Sequence, residues 1–199
     1  DLQNEYDNDE QQWYTFLKHY LTLSRSELFF ADKAIFIEGD TERILLPILM
    51  KKLDQEELCD EDKNELPLCK QNISIIEVGA YSHIFGKFIN FIGLEKVVVF
   101  TDLDVGKKGD NGHIEKTEYD GTDKMLTSNN ALKDYFAKMK EGNDLKVNQL
   151  ISLTDTQKTF SWNANNTKWE QQENGNMRVC FQIKENDYQA RTFEDNFFI

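Results

Sequence analysis

The sequence predicts an α/β fold, a mainly parallel central sheet flanked by helices, and three observations carry that prediction. Near-continuous apolar runs occur at residues 34–38 (AIFIE), 73–78 (ISIIEV) and 96–100 (KVVVF). Helical spacing fills the gaps between them: residues 43–52 are rich in Leu and Ile, and Ile84, Phe85, Phe88 and Ile92 fall on one helical face. The runs end in Gly or an acid, giving the order βαβαβ. Apolar strands alternating with helices belong to a parallel sheet covered on both faces, whose ligands sit outside the carboxyl ends of its strands. Glu38, Gly79, Asp102 and Asp104 all fall there.

The elements follow in order. Trp13, Phe16, Leu17, Tyr20 and Leu21 share one side of an amphipathic helix. The stretch ELFFADK leads into the first strand, and the helix of residues 43–52 carries Pro47, which removes a hydrogen bond and predicts a kink. Residues 54–70 are charged, contain Pro67 and lack a period, so they read as a solvated connection without chemistry. After the second strand Gly79 turns the chain and Ser82 caps the second helix, whose free N–H groups could hold a phosphate. Residues 105–125 (VGKKGDNGHIEKTEYDGTDKM) read as a mobile loop. A helix over 129–140 follows, then strands in NQLISL, FSWNAN and MRVCFQI, with Asn174-Gly175 as a hairpin turn. Thr192 opens a last helix running to Ile199.

A chain of 199 residues is about one domain. At 39% hydrophobic and 30% charged it is globular, and no apolar run approaches the roughly 18 residues of a membrane span. The opening DLQNEYDNDE has neither a starting Met nor a signal-peptide pattern, so the chain reads as excised from a longer one. The end, with Phe197, Phe198 and Ile199 still in want of a packing surface, reads the same way. Cys59, Cys69 and Cys180 are odd in number and lack C-x-x-C spacing, which predicts no disulfide framework, no zinc site and a reducing cytoplasm. A net charge of −13 excludes a nucleic-acid binder acting through its own basic surface. DNA binding would need metal ions or another domain.

Glu38, Asp102 and Asp104 offer the hard oxygen ligands preferred by Mg²⁺ or Mn²⁺, and acids so gathered repel one another unless a cation offsets them. Each alone also has a structural reading, as a helix cap or a charge at a helix start. Glu42 shares that second reading, as does Glu194, which Phe193 and Phe197 would place near the start of the last helix. Lys107 and Lys108, just past the Asp pair, could meet a nucleic-acid backbone or simply be solvated. His19, His83 and His113 show no ligand spacing; Trp162 and Trp169 suit a stacking surface or a hairpin core. An EF-hand frame beginning at Asp102 lacks the required Gly and Glu.

The motifs EGDTE, VGAYSHIF and TDLD, in that order, resemble the Toprim domain, a Rossmann-like fold. More narrowly, ELFFADKAIFIEGDTERILLP with the later TSN and RTFED is similar to the Toprim nuclease half of OLD-family (overcoming lysogenization defect) ATPase-nucleases. The resemblance covers residues 26–199, leaving 1–25 as a lead-in from a preceding ATPase region. It implies a DNA endonuclease in which Glu38, Asp102 and Asp104 are the catalytic, metal-binding acids. Glu42 and Glu194 would complete a two-metal Mg²⁺ or Mn²⁺ site, and Glu38 would also shuttle a proton; with DNA as the substrate, the residues read above as phosphate contacts, Lys107, Lys108 and Ser82, become the candidate DNA-binding set. It implies further that ATP enters only through the ATPase half, that oligomers form through that half, and that the whole acts in antiphage defence. One departure stands out: the family's downstream Lys has no match, since Lys184 precedes RTFED, and is expected beyond Ile199. Two other readings remain, a haloacid-dehalogenase-like phosphatase with Asp102 as nucleophile and a catalytically weak Toprim assembly module.

Overall fold

The structure is a computed structural model and describes residues 14, 15, 17–19, 26–57, 66–166, 168–185 and 187–197. Three parallel strands form its heart: β1 (Lys33–Ile37), β2 (Ile73–Glu77) and β3 (Lys96–Phe100). In β1 Ala34, Phe36 and Ile37 are buried, in β2 Ile76 and in β3 Val97 and Val99, so β-branched and aromatic side chains fill the core as the runs predict. Register is set by pairs such as Phe36 with Ile76 and Phe36 with Val99.

The sheet extends past β3. With β7 (Thr159–Asn163), β8 (Lys168–Gln171) and β9 (Met177–Cys180) the order is β2-β1-β3-β9-β7-β8, β9 parallel to β3 and β7 antiparallel to both its neighbours. The hairpin is therefore β7–β8, where Trp162 lies opposite Trp169 with ring centroids 5.4 Å apart, edge to face. This is the hairpin-core role for the two rings. Asn174-Gly175 is not a hairpin turn between paired strands. A Cβ on Gly175 would lie 2.0 Å from the Phe160 carbonyl oxygen, so the residue is small because two backbones touch there.

Helix α1 spans Asp40–Glu57, longer at both ends than residues 43–52, with Pro47 inside it. The connection after it is not merely solvated. Asp54 is 7% exposed and accepts hydrogen bonds from the N–H groups of Leu68 (2.6 Å) and Cys69 (2.9 Å), tying α1 to a 3₁₀ turn at Leu68–Lys70. The second helical stretch comes in two pieces, a 3₁₀ segment at Gly79–Phe85 and then α2 (Gly86–Ile92). Gly93 ends α2 with φ of 72°, a left-handed position that suits glycine.

Residues 105–127 depart most from expectation. In place of a mobile loop, β4 (Val105–Lys108), β5 (Ile114–Lys116) and β6 (Leu126–Thr127) pair antiparallel in the order β5-β4-β6. Buried Val105, Met125 and Leu126 anchor this second sheet. The helix expected over 129–140 is α3 (Asn130–Tyr135) followed by a 3₁₀ turn at Ala137–Met139. NQLISL is not a strand but α4 (Val147–Ile151), which buries Val147 and Leu150, three apart on one helical face. A short ribbon of β10 (Lys184–Glu185) and β11 (Tyr188–Gln189) follows, and the last helix is a 3₁₀ segment at Glu194–Phe197.

Of the N-terminal amphipathic set, Leu17 is helical and fully buried; Trp13, Phe16, Tyr20 and Leu21 lie outside the described residues, as do Cys59, Phe198 and Ile199. Among the described residues no helix is long and apolar enough to cross a membrane.

Candidate active site

Parallel strands deliver their carboxyl ends to one rim, so the residues just past β1, β3 and β9 become neighbours although they are far apart in the chain. Glu38 follows β1, Thr101 to Asp104 follow β3, and Gln182 lies just past β9. Glu38 Oε1 accepts three hydrogen bonds: from the Thr101 hydroxyl, from the Asp102 N–H at 3.2 Å and from Asn129 Nδ2 at 2.9 Å. Asn129 Nδ2 also faces Thr101 Oγ1 (2.9 Å) and the Asp102 carbonyl (3.0 Å), while its Oδ1 caps α3 by accepting from the Leu132 N–H. One buried amide thus starts a helix and fixes an acid.

Asp102 is held in the same manner from the other side. Its Oδ1 accepts from Gln182 Nε2 at 2.7 Å and from the Phe193 N–H at 2.8 Å. In both acids all the donors among the described residues use one oxygen, and the other oxygen keeps its lone pairs. Asp104 sits at φ of 48°, a left-handed conformation that Asp tolerates, with its N–H on the Arg191 carbonyl and its carboxylate 3.6 Å from the Lys116 ammonium.

Glu42, 4% exposed, reaches back to the Gly39 N–H (3.2 Å) as half of a capping box at the start of α1. Glu194 is exposed and comes to the same helix start, where the Thr41 hydroxyl holds its carboxyl below the usual carboxylate range. A cleft of about 300 Å³ opens beside these groups, lined among others by Glu42, Asp102, Phe181, Gln182 and Phe193.

The five acids feel one another. Burial, then the charge of Glu38 and more weakly that of Asp104, push Asp102 up to about 7 against the bonds from Gln182 and Phe193. Burial also raises Glu42, with Glu194 and Glu38 adding repulsion. A hard, all-oxygen donor set under mutual repulsion fits a divalent cation by chemistry and charge. Among the described residues no three acids, histidines or cysteines already stand as a coordination shell.

The structure therefore brings Glu38, Asp102 and Asp104 to one rim and sets Glu42 and Glu194 at the helix start beside it. It treats the other named residues differently. Ser82 does not cap a helix: it lies inside the 3₁₀ segment at Gly79–Phe85, 2% exposed, with its hydroxyl beside that of Tyr135. Lys107 is paired with Asp120, and Lys108 with Asp144 at 2.8 Å. Thr101, Asn129 and Gln182 hold Glu38 and Asp102 by hydrogen bonds, contacts that the sequence did not assign. Asn129 had a signal in the TSN motif; Gln182 had only its place one turn past a buried strand.

Residues 29–104 match the family described as "Overcoming lysogenization defect protein-like, TOPRIM domain", a span that runs from Phe29 through the acid of β1 to Asp104. The chain is also 30% identical over 185 residues to Endonuclease GajA of Bacillus cereus (strain HuB5-5), an alignment that takes in 92% of this chain and 22% of the relative. It thus spans about a fifth of that protein's length. No solved structure gives a significant match. With Glu38 closing the first parallel strand and the Asp102–Asp104 pair closing the third, residues 29–104 match the TOPRIM domain of the overcoming lysogenization defect-like family at both of its acidic strand ends.

Proposed function

We propose that this chain is the nuclease part of an OLD-family ATPase-nuclease, hydrolysing DNA phosphodiester bonds with Mg²⁺ or Mn²⁺ and serving antiphage defence from the cytoplasm. The observation that carries the reading is the paired grip on Glu38 and Asp102, each fixed through one oxygen at adjacent strand ends with the other oxygen available. The TOPRIM match and the similarity to a protein named an endonuclease support it. Bound divalent cations would supply charge neutralisation at the scissile phosphate and an activated water.

In this reading Glu38, Asp102 and Asp104 hold the cations, with Glu42 and Glu194 completing the set. Asn129 and Thr101 keep Glu38 from swinging, which matters because misplacement of a reacting group by about 1 Å can cost about 100-fold in rate. Glu38 would take and return a proton through Oε2, the oxygen that Thr101, Asp102 and Asn129 do not use. Lys107 and Lys108 reach backbone phosphates only by giving up Asp120 and Asp144, so their contribution to DNA affinity is small. Ser82, being buried, acts on DNA only through the helix it sits in. ATP binding and oligomerisation belong to the ATPase part outside these residues.

The test uses the full parent protein with supercoiled plasmid. Wild type nicks or cuts it with Mg²⁺ or Mn²⁺ and is silent in chelator; Glu38→Ala loses activity by at least about 100-fold. Calorimetric titration of Mn²⁺ gives binding to wild type and none to Asp102→Ala. Undiminished cutting by Glu38→Ala overturns the assignment, and release of phosphate from a small phosphomonoester would favour the dehalogenase-like chemistry instead.

A further inference from the structure

Gln182, Arg191 and Phe193, from the strap of chain after β9, bond repeatedly to the Asp102–Asp104 loop. Gln182 Oε1 accepts the Leu103 N–H at 2.9 Å, Gln182 Nε2 donates to Asp102 Oδ1, the Phe193 N–H donates to the same oxygen, and the Asp104 N–H donates to the Arg191 carbonyl. Gln182 is 6% exposed, and its own carbonyl accepts from Gln189 Nε2 at 3.2 Å, so its backbone is held too. The amide cannot be turned over. Leu103 offers only a donor, which fixes the amide oxygen toward the loop and forces Nε2 toward Asp102.

A glutamine is suited to this place because it needs both functions. A carboxylate would satisfy Leu103 but repel Asp102, and an apolar side chain would leave a buried N–H without an acceptor. We infer that Gln182 is the positioning residue for Asp102: its fixed amide holds Asp102 Oδ1 and so determines where Oδ2 stands for a divalent cation. The inference rests on the metal-dependent reading above. Outer residues that orient metal ligands in this way typically change metal affinity or activity by about 10- to 100-fold when replaced.

The experiment compares wild type, Gln182→Leu, Gln182→Glu and Asp102→Asn in the full parent protein. It reads Mn²⁺ affinity by calorimetry, melting temperature in chelator, and kcat and KM on plasmid. Gln182→Leu is expected to bind Mn²⁺ about 10-fold more weakly and to lose kcat about 10- to 100-fold, with KM for DNA within about 2-fold. Gln182→Glu keeps the acceptor for Leu103 but sets a carboxylate against Asp102, so it should melt somewhat lower than wild type in chelator, remain folded, and lose kcat about 10-fold or more with KM for DNA within about 2-fold. If Gln182→Leu fails to fold, Gln182→Glu alone decides. Wild-type kcat and Mn²⁺ affinity in a folded Gln182 variant, with Asp102→Asn impaired, overturn the positioning role. Wild-type behaviour of Asp102→Asn overturns the metal reading itself, and this inference with it.

Discussion

Asn129 shows how much one side chain can be asked to do. Its oxygen accepts the Leu132 N–H at the start of α3 and its nitrogen holds Glu38 and the Asp102 backbone. Asn129→Ala therefore removes a helix cap worth about 1 kcal/mol and leaves polar groups short of a donor. The expected outcome is a melting temperature lower by several degrees together with cleavage slowed about 10-fold or more. Asn129→Asp restores the cap but sets a carboxylate against Glu38, so stability and activity should separate, as denaturation and plasmid assays would read. Asp54 does comparable work away from the site. The Cys69 N–H, then the Cys69 thiol and the Leu68 N–H, hold its carboxyl below the usual carboxylate range against the opposing effect of burial. With the folded value lower than the unfolded one, its stabilisation is complete above about pH 4 and is lost as pH falls through the folded value. Urea unfolding from pH 6 to 2 should thus fall more steeply for wild type than for Asp54→Asn.

Among elements, α1 carries a conspicuous local conflict: an 18-residue helix with Pro47 in its interior, where the missing N–H and the ring clash cost up to about 3 kcal/mol. Pro47→Ala should raise stability by about 1–2 kcal/mol, visible as a higher melting temperature, since Pro47 faces solvent and packs no core. Elements also divide by how legible they were. β1, β2 and β3 could be read because five-residue runs of β-branched and aromatic residues have no other stable use. β4 to β6 could not, because strands of two to four residues carry no period and Gly106, Lys107 and Lys108 look like loop. The segment around Val147 and Leu150 alternates like a strand over so short a length that only its packing decides for helix. In the site, the acids were legible from their position after strands. Their holders were not, because Gln182 and Asn129 acquire meaning only when residues 80 and 91 positions away arrive.

For the whole molecule, charge would govern an encounter with the DNA proposed as substrate. At −13, with Lys107 and Lys108 already paired to acids, net charge argues against a cationic surface of the kind whose affinity for DNA falls as salt rises. The isolated 199-residue chain should therefore bind DNA feebly, and its affinity should stay flat or rise between about 10 and 100 mM salt as repulsion is screened. Fluorescence anisotropy would show this, and a steep fall with salt would reveal a basic surface. At matched salt and metal, the full parent should cleave faster. The strap that bonds to the Asp102–Asp104 loop has a consequence for biosynthesis. During translation the first three strands and Glu38 emerge well before Gln182, Phe193 and Glu194. A nascent chain can thus build its sheet while Asp102 is still without either of the donors to its carboxylate, and the acidic rim gains its holders only after residues 182–194 have left the ribosome. Under the proposed function, order of synthesis keeps the acids unheld in every copy that stops short of Phe193.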